Sequence, residues 1–172
     1  LLKCSTESIL LASLKAAQAG LRLDGRQAAL VPYKTTATFM PMVQGVLDLI
    51  SRSPGVAKVE ARVVREGDDF RYRYGSSPDI EHVPSATSTK GREVTHAYAI
   101  VWWRTGAPPT FEVLDRDEIE AARAVSRASN SPAWRLWYGE MARKTAIHRI
   151  AKYVDLAPET ARRLSHVMDA EW

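Results

Sequence analysis

The chain has few of the features that staple, anchor or arm a small protein. Cys4 is its one cysteine, which excludes an internal disulfide framework and a cysteine-built zinc site and fits a reducing, cytoplasmic compartment. No apolar run approaches the roughly 18 residues that a membrane span requires, and the N-terminal stretch lacks the charged region, apolar core and cleavage site of a secretory signal. Internal repeats and low-complexity tracts are absent. So are the G-x-x-x-x-G-K-S/T phosphate loop and the G-x-S-x-G elbow of serine hydrolases. His82, His96, His148 and His166 have neither the two-on-one-helix spacing of a metalloprotease nor neighbouring cysteines, so surface or structurally bonded roles are expected for them. No lysine has an acidic residue two positions before it, which removes the E-x-K element of a common nuclease fold.

What is present suits one domain over residues 1–172, since the length and a hydrophobic content of 45% allow a sizeable core. The net charge of +4 is a mild basic excess that permits a nucleic-acid partner without identifying one. Leu1 stands where a start methionine is usual, and a chain trimmed from a longer protein, without its N- and C-terminal tails, is expected.

Periodicity predicts a helix from about Ser5 to Ala19, with Ile9, Leu10, Leu14 and Ala17 on one face and Gly20 as its stop. Gln27 to Tyr33 and Thr36 to Met42 read as a hairpin around Lys34-Thr35, and Met42 to Ser51 as a short helix. Lys58 to Glu66 alternates, Gly67-Asp68-Asp69 turns, and Phe70 to Tyr74 puts three aromatics opposite Arg71 and Arg73, which predicts a second hairpin with the aromatics in the core. A polar loop covers Gly75 to Glu93; His96 to Trp103 and Thr110 to Leu114 are further strands. Asp115 and Glu118 have capping-box spacing, and Ile119, Ala122 and Val125 give the face of the helix that follows. A long helix from Pro132 to Val154 and another from Pro158 to Met168 complete an α+β order of helix, β-hairpin, helix, antiparallel β-meander and long C-terminal helices.

The chemistry divides into acids and cations. Glu66, Asp68 and Asp69, with Glu112, Asp115 and Asp117, are the case for a metal-dependent nuclease, because two-metal chemistry needs convergent carboxylates. Turn bonding by Asp68 and Asp69, and dipole compensation at a helix start, explain the same residues. Among cations, Lys144, His148 and Lys152 fall at i, i+4 and i+8 on one helix face, while Trp134, Trp137, Tyr138, Met141, Ile147 and Ile150 read as its anchor. Lys34, Arg52, Arg71, Arg73 and Arg149 add positive charge from elsewhere, and jointly such a set suits a phosphate backbone. Tyr33, Phe39 and the indoles of Trp102 and Trp103 are candidate stacking surfaces, with a core role as the alternative for each.

An ordered set of segments resembles the RecT family of phage-type single-strand annealing recombinases. It runs through Ser8-Ile9-Leu10, Ala19-Gly20-Leu21, Leu30-Val31-Pro32-Tyr33, Gln44-Gly45-Val46-Leu47-Asp48-Leu49, Arg52-Ser53, Gly67-Asp68-Asp69-Phe70, His82, Ala97-Tyr98-Ala99, Ser131-Pro132-Ala133-Trp134 and Met141 to Ala146, with Arg149 and Lys152. His148 departs from the pattern, standing where a basic residue is common, as does Pro41-Met42-Val43 before Gln44. The resemblance implies coating of single-stranded DNA by oligomeric rings or filaments and pairing of complementary strands into duplex, with no ATP, no other cofactor, no cutting and no membrane. It further implies a partner exonuclease and a C-terminal region, expected beyond Trp172, that meets a host single-strand-binding protein. On this view Lys144, Arg149 and Lys152 hold phosphates, Lys34 and Arg52 extend the groove, and Arg71 and Arg73 contribute there or at a subunit contact.

Overall fold

Ser5 accepts a hydrogen bond from the Ser8 amide, and Gly20, at φ 66, closes the turn that ends helix α1 (Thr6–Ala19). These two caps place the helix as its sequence predicts; its buried face differs. In this computed structural model, which describes residues 1–126, 129–130, 132–152, 154 and 158–169, the covered stripe is Ser8, Ala12, Ala16 and Ala19. Leu10 and Leu14 are exposed instead. Small side chains let the helix approach the β1 (Ala28–Tyr33) and β2 (Thr36–Pro41) hairpin closely enough for Ala37 N–H to donate to Ser8 Oγ at 3.0 Å and Ser5 N–H to Thr35 O at 2.9 Å. Both faces of the helix carry apolar residues, so periodicity alone does not choose between them.

Strands β1 and β2 pair antiparallel, with Pro32 opposite Ala37 and the tip at Lys34, which takes a positive φ of 55. At the base of the hairpin, Met42 N–H donates to Gln27 O at 2.9 Å, and a side chain at Gly45 would collide with that same carbonyl. Glycine is therefore what lets helix α2 (Val43–Ser51) seat against the hairpin. Asp48 accepts from Gln27 Nε2 at 2.8 Å and locks the contact.

The chain then forms β3 (Val56–Arg65), β4 (Asp69–Arg73), β5 (Asp79–Val83), β6 (Val94–Trp103) and β7 (Thr110–Asp115). A three-stranded antiparallel sheet has the order β3-β6-β7, and β4 pairs with β5 as a separate hairpin. The turn at Gly67-Asp68-Asp69 thus leads β4 away from β3, and part of the predicted loop from Gly75 to Glu93 is strand β5. A local turn signal is read easily, whereas the Val59–Val101 and Ala61–Ala99 pairings that β3 makes instead are distant in sequence. One face of the sheet gives Val59, Ala61, Ala97, Ala99, Val101 and Leu114 to the main core; the other gives Val64, Tyr98, Ile100, Phe111 and Val113 to a smaller cluster under the β4–β5 hairpin. Phe70 joins that cluster, but Tyr72 and Tyr74 are largely exposed, forming a ladder of rings that ends on Phe111. They are a lid and not the interior predicted for them.

Helix α3 (Arg116–Val125) begins with a complete capping box between Asp115 and Glu118, as its spacing predicts. It buries Ile119 but leaves Val125 exposed. The predicted long helix is broken at Trp137 into α4 (Pro132–Leu136) and α5 (Tyr138–Ile150), and α6 (Pro158–Asp169) follows. Ala142, Ala146, Ile147 and Ile150 of α5 pack in the main core, which also takes residues from α1, α2, α3, α4 and α6. The fold is α+β, with helices on one face of the sheet and the β4–β5 hairpin on the other.

Candidate nucleic-acid interface

The predicted basic face of α5 lies largely inside the molecule. Lys144 is 9% exposed and its ammonium donates to the Pro41 carbonyl at 2.8 Å; His148 is buried beside it on the same face. Register placed the two together correctly, but β2 and α2 cover that face, so Lys144 ties α5 to the end of β2 and does not present charge to solvent. Phe39 is likewise corrected: at 2% exposure it is core and offers no stacking surface. Lys152, just past the helix, is exposed, and Arg149 is half-covered with its guanidinium 3.4 Å from Glu118.

The remaining predicted cations are on the surface and dispersed. Lys34 and Tyr33 project at the β1–β2 tip, near the start of α1, while Arg52 donates to Gly20 O at 3.2 Å at its end. The 14 residues between separate these sites by about 21 Å along the helix axis. Arg71 pairs with Asp69 at 3.2 Å and Arg73 donates to Ser77 O at 3.0 Å, both on the hairpin that covers the opposite face of the sheet from α5. These residues lie on separate elements, and none of them lines the molecule's arginine-rich cleft.

That cleft, of about 700 Å³, opens between the end of β3, the segment before β6, and α3, α4 and the start of α5. Arg65, Arg92, Arg116, Arg123, Arg135 and Arg143 line it, against Glu93, Glu120 and Glu140. With the Asp68 carboxylate behind Arg92 counted as well, two positive charges are in excess. Ion pairs hold part of the set in place: Arg116 with Glu93, Arg123 with Glu120 at 3.4 Å, and Arg143 with Glu140. Arg65 donates to Arg92 O at 2.9 Å. Burial, then the nearby Arg62 and Arg65, push the Arg143 guanidinium below its usual value, which is what crowded like charges do. Its Nε is buried with no partner among the described residues. Several guanidiniums facing one solvent-filled space suit an anion with more than one negative group. Trp134, Trp137 and Tyr138 supply rings at the same wall.

Asp68 anchors this wall from behind. Its Oδ1 accepts from Ser85 N–H at 2.9 Å and from Arg92, and its Oδ2 from Arg65 N–H at 2.8 Å and His82 Nε2 at 3.1 Å. The other His82 nitrogen is 3.0 Å from Tyr98 Oη. Burial raises the Asp68 pKa, but the hydrogen bonds from Ser85, Arg65, Arg92 and His82 outweigh it and hold the carboxyl well below its ordinary range. With four bonds accepted, its lone pairs are filled. Asp69 pairs outward with Arg71. Among the described residues no group of three or more His, Cys, Asp or Glu is placed to hold a metal ion. Nor is any helix there long and apolar enough to cross a membrane.

Of the six cleft arginines, only Arg143 falls in a segment that the sequence marks, Met141 to Ala146; the six lie up to 78 positions apart on five segments. Another local signal is Arg135, wedged between indoles in Trp134-Arg135-Leu136-Trp137. Comparison with known proteins adds a lineage to this geometry. The family model described as the RecT family matches residues 1–166. Protein RecT of Escherichia coli (strain K12) is 34% identical over 172 aligned positions, which take in 94% of this chain and 63% of that protein.

Proposed function

Because the chain belongs to the RecT family, we propose that it binds single-stranded DNA and anneals complementary strands in phage-type homologous recombination. It does so without ATP, as an oligomeric ring or filament, with residues 1–172 acting as one annealing core. The observation that carries the reading is the arginine-lined cleft, which supplies an excess of guanidiniums and exposed ring surface in one place. Phosphate contacts position a strand without reading its sequence, so any complementary pair serves as substrate. Arg135, Arg116 and Arg143 follow the backbone of the first strand and leave bases open to a second. Lys34, Arg52, Arg71, Arg73 and Lys152, with Arg149 half-exposed, are secondary phosphate contacts outside the cleft, and Tyr33 is a secondary stacking surface. Lys144 and Phe39 are kept out of that set by their burial. A partner exonuclease and a host single-strand-binding protein complete the pathway.

A metal-dependent nuclease built on Glu66, Asp68 and Asp69 is the weaker reading, since Asp68 has no lone pair left for an ion. One assay separates the two. Two complementary oligonucleotides carrying a fluorophore and a quencher are mixed with the protein, with and without a chelator, and the products are sized. Accelerated pairing, insensitive to chelator and with intact strands, is the expected result. Chelator-sensitive shortening of the strands, or pairing no faster than without protein, overturns the proposal.

A further inference from the structure

The cleft holds one large ring that the fold does not use. Trp134 and Tyr138, at i and i+4, turn inward: Trp134 is 3% exposed, the two rings stand 5.9 Å apart, and the Arg123 guanidinium lies 5.8 Å over the Trp134 indole. Trp137 falls between them at the junction of α4 and α5, with φ −127 and ψ 39, and points out at 65% exposure. Among the described residues its hydrogen bonds are made by the main chain. Its N–H donates to Ala133 O at 2.9 Å and its carbonyl accepts from the Glu140 and Met141 amides at 2.9 and 3.1 Å, while no side-chain cap is made. An indole left in water forgoes the stabilisation that burial would bring. Here it stands in a wall whose charged neighbours are mainly guanidiniums. An apolar protein partner would have to strip water from those charges without replacing it; a nucleotide brings a planar ring for the indole and a phosphate for the arginines.

We propose that Trp137 is a base-stacking residue, receiving an unpaired base of the strand whose phosphates lie on Arg135 and its neighbours. The proposal rests on the cleft being the DNA site. Every base offers a π face, so the contact tolerates any sequence. Stacking also leaves the pairing edge of the base uncovered, so a second strand can pair with a base that is still held. Arg135 and Trp137 thus grip one nucleotide by its phosphate and its ring without occupying the edge that annealing needs.

The test uses the full chain and fluorescence anisotropy with two single strands of equal length, one of mixed sequence and one of abasic sugar-phosphate units. W137A is expected to bind the mixed strand about tenfold more weakly than wild type and the abasic strand equally well, with W137F recovering most of the loss. Equal affinity of W137A and wild type for the mixed strand overturns the proposal. So does an equal loss on both strands, which makes Trp137 a support of the fold or of a subunit contact. Wild type that binds neither strand overturns the DNA reading of the cleft as well, an outcome the variants cannot mimic.

Discussion

On one face of α5, Lys144 and His148 are enclosed, with the lysine ammonium on the Pro41 carbonyl, whereas on another face Arg143, the residue before Lys144, opens onto a cleft with guanidiniums from four other segments. Both groups are cationic side chains on the same 13-residue helix, less than two turns apart. Helical register decides which residues share a face. Whether that face meets solvent is decided by what packs over it, and the β1–β2 hairpin and α2 cover one face while α3 and α4 leave the other open. The first set fastens the molecule; the second is available to a ligand.

This contrast breaks most sharply under charge reversal. The double variant R116E/R135E is expected to weaken single-strand binding by at least about 100-fold, since a hydrogen bond to a charged group contributes about 1.5–3 kcal/mol, while loss of the exposed Arg116–Glu93 pair costs at most about 1 kcal/mol of stability. Undiminished affinity in an anisotropy titration would remove the cleft from the account. Next in size is D68N, which leaves Arg92 and His82 without their shared carboxylate and is expected to cost about 3 kcal/mol of folding stability by denaturant titration. The sign of its pH dependence follows from a depressed pKa. Wild type has the full contribution above the unfolded carboxylate value of about 4 and loses it as pH falls below. D68N is expected to lack that acid limb.

K144A removes the enclosed ammonium of α5. It orphans the Pro41 carbonyl and should cost about 2 kcal/mol of stability, yet leave the slope of log affinity against log salt where it is in wild type. A slope reduced by about 0.7 would instead mark Lys144 as a direct phosphate contact and restore the exposed-helix picture. The smallest effect is expected of K152A, with unchanged stability and a loss of affinity of about threefold, consistent with one solvated contact at the edge of the interface.

Elements whose signals are local were legible. Asp115 and Glu118 announced α3, Gly20 ended α1, and the alternation around Lys34-Thr35 marked the first hairpin, because each depends on neighbours a few residues away. Three features depend on distant partners and were not. The alanine stripe of α1 wins burial over its leucines because β2 comes close enough to hydrogen-bond with Ser8. Strand β3 leaves the turn at Asp68 unused as a hairpin because β6 offers it a ten-residue apolar partner. The cleft draws two arginines from α3 and one each from β3, α4, α5 and the segment before β6, positions that lie far apart in the chain. Register alone groups Lys144 with His148, and the packing of β2 and α2 over them is what encloses that face of α5.

Phosphate contacts in the cleft are read out by the salt dependence of single-strand binding in wild type beside R116A/R135A. Loss of two contacts is expected to reduce the slope of log affinity against log salt by about 1.4, at about 0.7 for each phosphate on a single strand. An unchanged slope in a folded double variant would contradict the account and return the search to the dispersed cations at Lys34, Arg52, Arg71, Arg73 and Lys152.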